Sequence, residues 1–203
     1  MGFFQAILDL LCLDLRFILG GIVLIGASIY WLYKRKMLTV KISIVLVIFY
    51  YYLAVILSHI VGVPTLKEFI RLSALGEPLF YPNVNLIPFA EGLSLEFLLN
   101  IFCFIPLGFF CPMISKTYVK VKNTLLVGFC FSLAIEIIQL FTLYRVTDIN
   151  DIIANTFGTA VGCFCFKLIM KSKNKNFADD PRSVAGLPVL YLILTLAITF
   201  IQF

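Results

Sequence analysis

Charge is what this chain has least of. Of its 203 residues only 13% are Asp, Glu, Lys or Arg, and histidine occurs once, whereas soluble domains carry about 25% charged residues. With 62% hydrophobic residues and a mean hydropathy of +1.04, a soluble globular domain is excluded and a membrane-embedded one implied. Sequence signatures of energy-coupled or hydrolytic chemistry are missing as well: there is no Walker loop, Rossmann glycine fingerprint, HExxH, GxSxG or lipidation box. ATP-driven transport by this chain alone is therefore disfavoured. The six cysteines include no CxxC pair, so a zinc or redox site is not indicated, and Cys163 and Cys165 would fall on different faces of a helix. They read as free thiols packed as small hydrophobes. The net charge of +5 does not point to nucleic acid, because the basic residues sit in short clusters between apolar runs.

What is present is long apolar runs, and the sequence predicts an all-α, polytopic transmembrane bundle of about six spans: 17–33, 42–66, 97–115, 124–144, 152–166 and 183–203. The whole chain, 1–203, is expected to form one membrane domain. Twelve of its 16 basic residues lie in three gaps, after the first, third and fifth spans. The positive-inside rule places those gaps in the cytoplasm and both termini outside it. Residues 1–14 lack the basic start and small-residue cleavage site of a secretory signal, so an uncleaved interfacial segment is expected there. His59, ending the second span, is read as an interfacial or helix-capping residue. The one sizeable outer connection, residues 67–96, carries Pro78, Pro82 and Pro88 among aromatics. It is expected to form an ordered cap between spans two and three, with Leu79, Phe80, Tyr81, Leu86, Ile87 and Phe89 dipping into the membrane interface or packing on the bundle.

The few polar residues inside the spans are grouped. Glu96 and Asn100 share a helix face at i, i+4; Pro106 with Gly108 is expected to kink that helix; Glu136 and Gln139 follow at i, i+3 with Ser132 one turn earlier. Thr147 or Asp148 can cap the next helix, where Asp148, Asp151, Asn155, Gly158 and Gly162 recur at three- and four-residue steps. The two glycines form a small-xxx-small pair for close helix approach. The polar residues of these three spans all fall in the outer half of the membrane, and because an ionised side chain at the bilayer centre costs about 2.5–3.5 kcal/mol on insertion scales, they should converge. Arg145 is the nearest cation and is expected to pair with Glu136 or Asp148. Four carboxylates, Glu96, Glu136, Asp148 and Asp151, then face one guanidinium. Three outlets for that imbalance stay open: a divalent cation on Glu136, Asp148 and Asp151, a protonated Glu136 acting as general acid or proton relay, or a cationic ligand. A purely structural role, stapling helices together, is the competing reading.

In order, Asn85-Leu-Ile-Pro-Phe89, Asn100 with Phe104-Ile-Pro-Leu-Gly108, Glu136-Ile-Ile-Gln139, and the series Arg145, Asp148, Asp151, Asn155, Gly158, Gly162 resemble the VanZ-like family over about residues 40–170. The spans at 17–33 and 183–203 lie outside that core. The resemblance implies a multi-pass protein of the bacterial cell envelope, in a family whose namesake confers low-level teicoplanin resistance. Glu136, Asp148, Asp151 and Arg145 are then the candidate catalytic residues, with Asn85, Glu96, Asn100, Gln139 and Asn155 as binding residues. The expected ligand is a membrane lipid or lipid-linked envelope component, either bound only or bound and modified. A small ion-coupled carrier, or a scaffold for an envelope enzyme, would use the same residues differently.

Overall fold

The computed structural model describes residues 12–36, 39–80, 82–89, 92–142, 145–172 and 184–201. Residues 1–11, where an interfacial segment was expected, lie outside them, as does most of the basic gap around Lys173, Lys175 and Arg182. The described residues fold almost entirely into helices, named here α1 (Leu15–Lys34), α2 (Val40–Val55, continued by a π-helical turn at Ile56–Ile60), α3 (Leu66–Leu75), α4 (Leu95–Ile114), α5 (Val121–Gln139), α6 (Ile149–Ser172) and α7 (Leu187–Phe200). Two-residue strands, β1 (Val84–Asn85) and β2 (Thr147–Asp148), pair in parallel.

Five of these helices, α1, α2 with its π turn, α4, α5 and α6, are long and apolar enough to cross a membrane. The all-α membrane architecture thus follows the hydropathy of the sequence. The sixth predicted span does not reach the required length. Helix α7 has 14 residues, about 21 Å at 1.5 Å per residue, against the roughly 30 Å of a bilayer core. Its apolar run is interrupted on the N-terminal side, where a turn at Ala185–Gly186 precedes the helix. The second span also stops earlier than expected, because Gly62 adopts a left-handed φ of 67° and Pro64 follows. The predicted cap at 67–96 is accordingly not all loop. Thr65 accepts a hydrogen bond from the Glu68 N–H (3.3 Å) and opens α3, and Gly76 closes it at φ 70° with Glu77 N–H donating to the Leu72 carbonyl at 3.0 Å.

The chain divides into two compact units, Met1–Leu79 with Leu190–Phe203, and Phe80–Val189. In the first, Tyr50 donates its hydroxyl to the Phe17 carbonyl at 2.6 Å, and Gly21 leaves the room its ring occupies. Tyr191 is fully buried beside Phe49 and Tyr50. His59 lies in the π turn with Nε2 3.1 Å from the Cys12 carbonyl.

The second unit is built around α6. Helix α4 starts at Ser94, whose hydroxyl accepts from Phe97 N–H at 3.1 Å, and continues through Pro106 and Pro112. It packs against α6 along glycines. A methyl group on Gly158 would collide with the Ile101 carbonyl oxygen, one on Gly162 with that of Ile105, and one on Gly108 with that of Thr159. Backbone therefore meets backbone along the α4–α6 seam, as the small-xxx-small spacing requires. Across the other face of α6, Gly128 of α5 leaves room for the Thr159 side chain. All six cysteines are free.

Candidate functional site: the polar end of the second unit

One end of this unit gathers the start of α4, the end of α5, the start of α6 and the β1–β2 pair. In that pair, Val84 lies opposite Thr147 and Asn85 opposite Asp148, with Thr147 N–H donating to the Asn83 carbonyl at 2.9 Å. The residues between α5 and α6 are thereby tied to the segment that precedes α4, 63 positions away.

Asp148 is the junction of the site. Its Oδ1 accepts from the Asn150 N–H at 2.8 Å, which caps α6 and places a carboxylate at the positive end of the helix dipole. Its Oδ2 accepts from Asn85 Nδ2 at 3.1 Å. Its own main-chain N–H donates to Oε2 of Glu136 at 2.9 Å, while Thr147 Oγ1 donates to the Glu136 carbonyl at 3.1 Å. Glu136 is only 2% exposed. Burying a carboxyl group that deeply is tolerable only with a donor in place, and the Asp148 N–H supplies one.

Asp151, one turn into α6, accepts from Asn100 Nδ2 of α4 at 2.6 Å. Glu96, on the first turn of α4, is exposed at the rim, as is Arg145. The charges of Asp148, Glu96 and Arg145 all bear on Asp151, and Arg145 also acts on Glu136. One turn below, Asn155 (4% exposed) donates from Nδ2 to Ser132 Oγ at 2.9 Å. Gln139, the last residue of α5, is buried.

The predicted residues therefore arrange as a layered cluster: Glu136, Asp148 and Asn85 joined by one chain of hydrogen bonds, Asp151 with Asn100 beside them, and Asn155 with Ser132 beneath. Glu96 and Arg145 stand at the edge. For a divalent cation the fit is poor, since among the described residues no three His, Cys, Asp or Glu side chains gather as metal ligands would. Thr147, one of the two expected caps, bonds Glu136 instead, and Asn150 carries an interaction that the sequence did not single out. Asn150 Oδ1 accepts from the Phe89 N–H at 2.9 Å, pinning the segment after β1. Its signal was its place at the second helical position after a capping Asp, where a side chain can turn back outward.

The same residues coincide with a known sequence pattern: a family model described as VanZ/LLP1 matches residues 41–170. The chain belongs to the VanZ/LLP1 family. Every residue of the cluster, from Asn85 to Asn155, lies within the VanZ/LLP1 segment. Protein VanZ of Enterococcus faecium is 33% identical to this chain over 113 residues, 55% of this chain and 70% of that protein. No solved structure matches the chain significantly. The VanZ/LLP1 segment takes in nearly all of α2, all of α3, α4 and α5, and α6 up to Met170, and leaves α1 and α7 outside it.

Proposed function

We propose that this VanZ-family protein sits in the cell membrane with its polar end outside the cytoplasm, and binds a lipid-linked or cell-surface envelope component there. A contribution to glycopeptide (teicoplanin) resistance would follow from such binding. The observation that carries the reading is the Asn85–Asp148–Glu136 chain with its neighbouring Asn100–Asp151 pair. It ties the Glu136 and Asp148 side chains into one hydrogen-bonded chain and holds Asp151 of the same helix start against α4. Charge supports the orientation: Lys116 and Lys120 lie between α4 and α5, Lys122 in the first turn of α5 and Lys167 in the far half of α6, at the end opposite the cluster. Lys and Arg collect on the cytoplasmic side.

The carrier alternative needs an inward route past Pro106 and Gly162. There the α4–α6 seam is closed backbone to backbone, with Gly162 against Ile105 and Gly108 against Thr159, which favours a binding protein with a single accessible side. The test is to express the chain in a susceptible Gram-positive host and compare it with Glu136→Gln and Asp151→Asn. The native chain should raise the teicoplanin concentration needed to stop growth, and both variants should lose that effect while still accumulating in the membrane. If the two variants fail to insert or fold, the carboxyl groups serve only to staple the helices and the proposal is wrong.

A further inference from the structure

We infer that helix α3 of the first unit is a membrane-surface helix: it lies along the lipid headgroup layer with Ile70 and Ala74 turned into the upper acyl chains and Lys67 and Arg71 reaching the headgroup phosphates. This lipid contact concerns the first unit alone and stands independently of what the polar end of the second unit binds.

The order of residues in α3 sets its faces. At about 3.6 residues per turn, Leu72 and Phe69 fall on one side, Leu66, Ile70 and Ala74 on the next, then Lys67 and Arg71, with Leu75 and Glu68 completing the circle. The first side is held by protein: Leu72 is 2% exposed, and the Phe69 ring meets that of Phe200 edge to face at 5.8 Å. The second side is apolar but uncovered, since Ile70 is 60% exposed and Ala74 is exposed beside it. Lys67 and Arg71 are exposed along its border. Arg71 stands 3.9 Å from Glu68, a loose surface pair that leaves the guanidinium open to other oxygens. An apolar strip edged by long basic side chains, whose heads can reach out to phosphate, is the pattern of a helix lying in the interface plane.

Depth decides that lipid is what covers the strip, and two independent levels agree on it. Helix α2 with its π turn, Val40–Ile60, has 21 residues and so crosses about the whole 30 Å bilayer core. Thr65 opens α3 directly after the turn at Gly62 and the buried Val63 and Pro64, so α3 begins where that span ends. The second level comes from α7. Its Thr199 carbonyl accepts from Arg16 Nη1 at 3.4 Å, and Arg16 is in the first turn of the spanning helix α1. The end of α7 is therefore level with an end of α1, and Phe69 seats α3 on that end through Phe200. An isoleucine exposed at the level where spanning helices stop meets the boundary between headgroups and acyl chains. The apolar strip runs the length of α3, from Leu66 to Ala74, so a helix lying flat buries all of it at one depth.

Fluorescence of the full chain in vesicles of phosphatidylcholine and phosphatidylglycerol tests the inference. Trp31 is the one tryptophan of the sequence, so Trp31→Phe gives a dark background for Ile70→Trp or Leu75→Trp; both positions are exposed, so neither indole displaces packed neighbours. An interfacial helix buries its apolar face about 5–10 Å deep. The Ile70→Trp indole should therefore lose more than half its emission to lipids brominated in the upper acyl chain, less to lipids brominated near the chain ends, and little to aqueous acrylamide. The Leu75→Trp indole, on the far side of the helix, should respond chiefly to acrylamide. Acrylamide quenching at position 70 equal to that at 75 would put the strip in water and overturn the inference. Shielding of position 70 from both quenchers would overturn it too, by showing protein, such as a second copy of the chain, over the strip. Equal lipid quenching at both positions would refute a helix lying flat. Lys67→Glu combined with Arg71→Glu should remove most of the lipid quenching at position 70, and unchanged quenching would refute the phosphate contact. The comparison of positions 70 and 75 needs no charge reversal, so it decides even if that variant misfolds.

Discussion

Adding one methyl group at Gly158 or Gly162 sets two opposing effects against each other, and their balance has a definite sign. In an unpacked helix interior, Gly→Ala stabilises by about 1 kcal/mol through helix propensity. At Gly158 the new Cβ would overlap the carbonyl oxygen of Ile101, and at Gly162 that of Ile105. Both obstacles are backbone, which cannot rotate away as a side chain can, so α4 must move off α6. Overpacking of that kind costs typically 1–3 kcal/mol, and here it also stretches the 2.6 Å Asn100–Asp151 bond at the end of the same two helices. Subtracting the propensity gain leaves a net loss of up to about 2 kcal/mol per site. Gly26 of α1 provides the control, because a Cβ there meets nothing within 4 Å. Thermal unfolding in a single detergent should therefore give lower midpoints for Gly158→Ala and Gly162→Ala, and an equal or higher midpoint for Gly26→Ala. Three stabilised variants would refute the close α4–α6 contact, and with it the placement of Asn100 beside Asp151.

Asp148→Ala removes both the α6 cap and the partner of Asn85, and should cost about 1–2 kcal/mol, whereas Asp148→Asn, which can still cap, should melt close to the native chain; equal losses would deny the capping role. Ser132→Ala takes away the partner of Asn155 Nδ2 in a fully buried place, a loss of about 1–3 kcal/mol, and adding Asn155→Leu should recover part of it, which a double-mutant cycle on unfolding free energies will detect. In the first unit, Tyr50→Phe deletes the 2.6 Å bond to Phe17 and should lower the unfolding midpoint by an amount corresponding to about 1 kcal/mol.

Hydropathy alone located the five long helices, because a lipid-crossing segment must be continuously apolar and that demand leaves a plain mark in sequence. The glycine spacing in α6 was legible for a related reason: two glycines at i, i+4 have few uses in a spanning helix other than close approach. Helix α3 was missed although its Thr65-x-x-Glu68 start and Gly76 stop are ordinary helix signals. Its ten residues lie among prolines and aromatics, whose presence suggested an ordered cap but named no helix in it. The β1–β2 pair could not be foreseen, since two residues carry no periodicity and the partners are 63 positions apart. That pair nevertheless aligns Asn85 with Asp148, so the sequence named both residues without showing what joins them. Glu96 and Arg145 were expected inside the cluster; their exposure places them at its rim.

The contrast between the two polar layers bears on whether the cluster is merely structural. Deeper in the unit, α5 and α6 are joined by Ser132 and Asn155, and by the fit of Thr159 against Gly128. Hydrogen bonds between membrane helices are worth about 0.6 kcal/mol on average, and a neutral pair provides that without placing charge near lipid. Were the outer layer only another such join, Asn or Gln at 136, 148 and 151 would suffice. Each acidic residue there instead risks an insertion penalty of about 2.5–3.5 kcal/mol at the helix centre. Asp148 has a local reason, as the cap of α6. Glu136 has none of that kind: it accepts the Asp148 N–H, a bond a glutamine oxygen would make equally well. Asp151 likewise takes one amide donor from Asn100. The hydrogen bonds these two side chains make do not require an acid, whereas the charge of Arg145, which acts on both, does favour one.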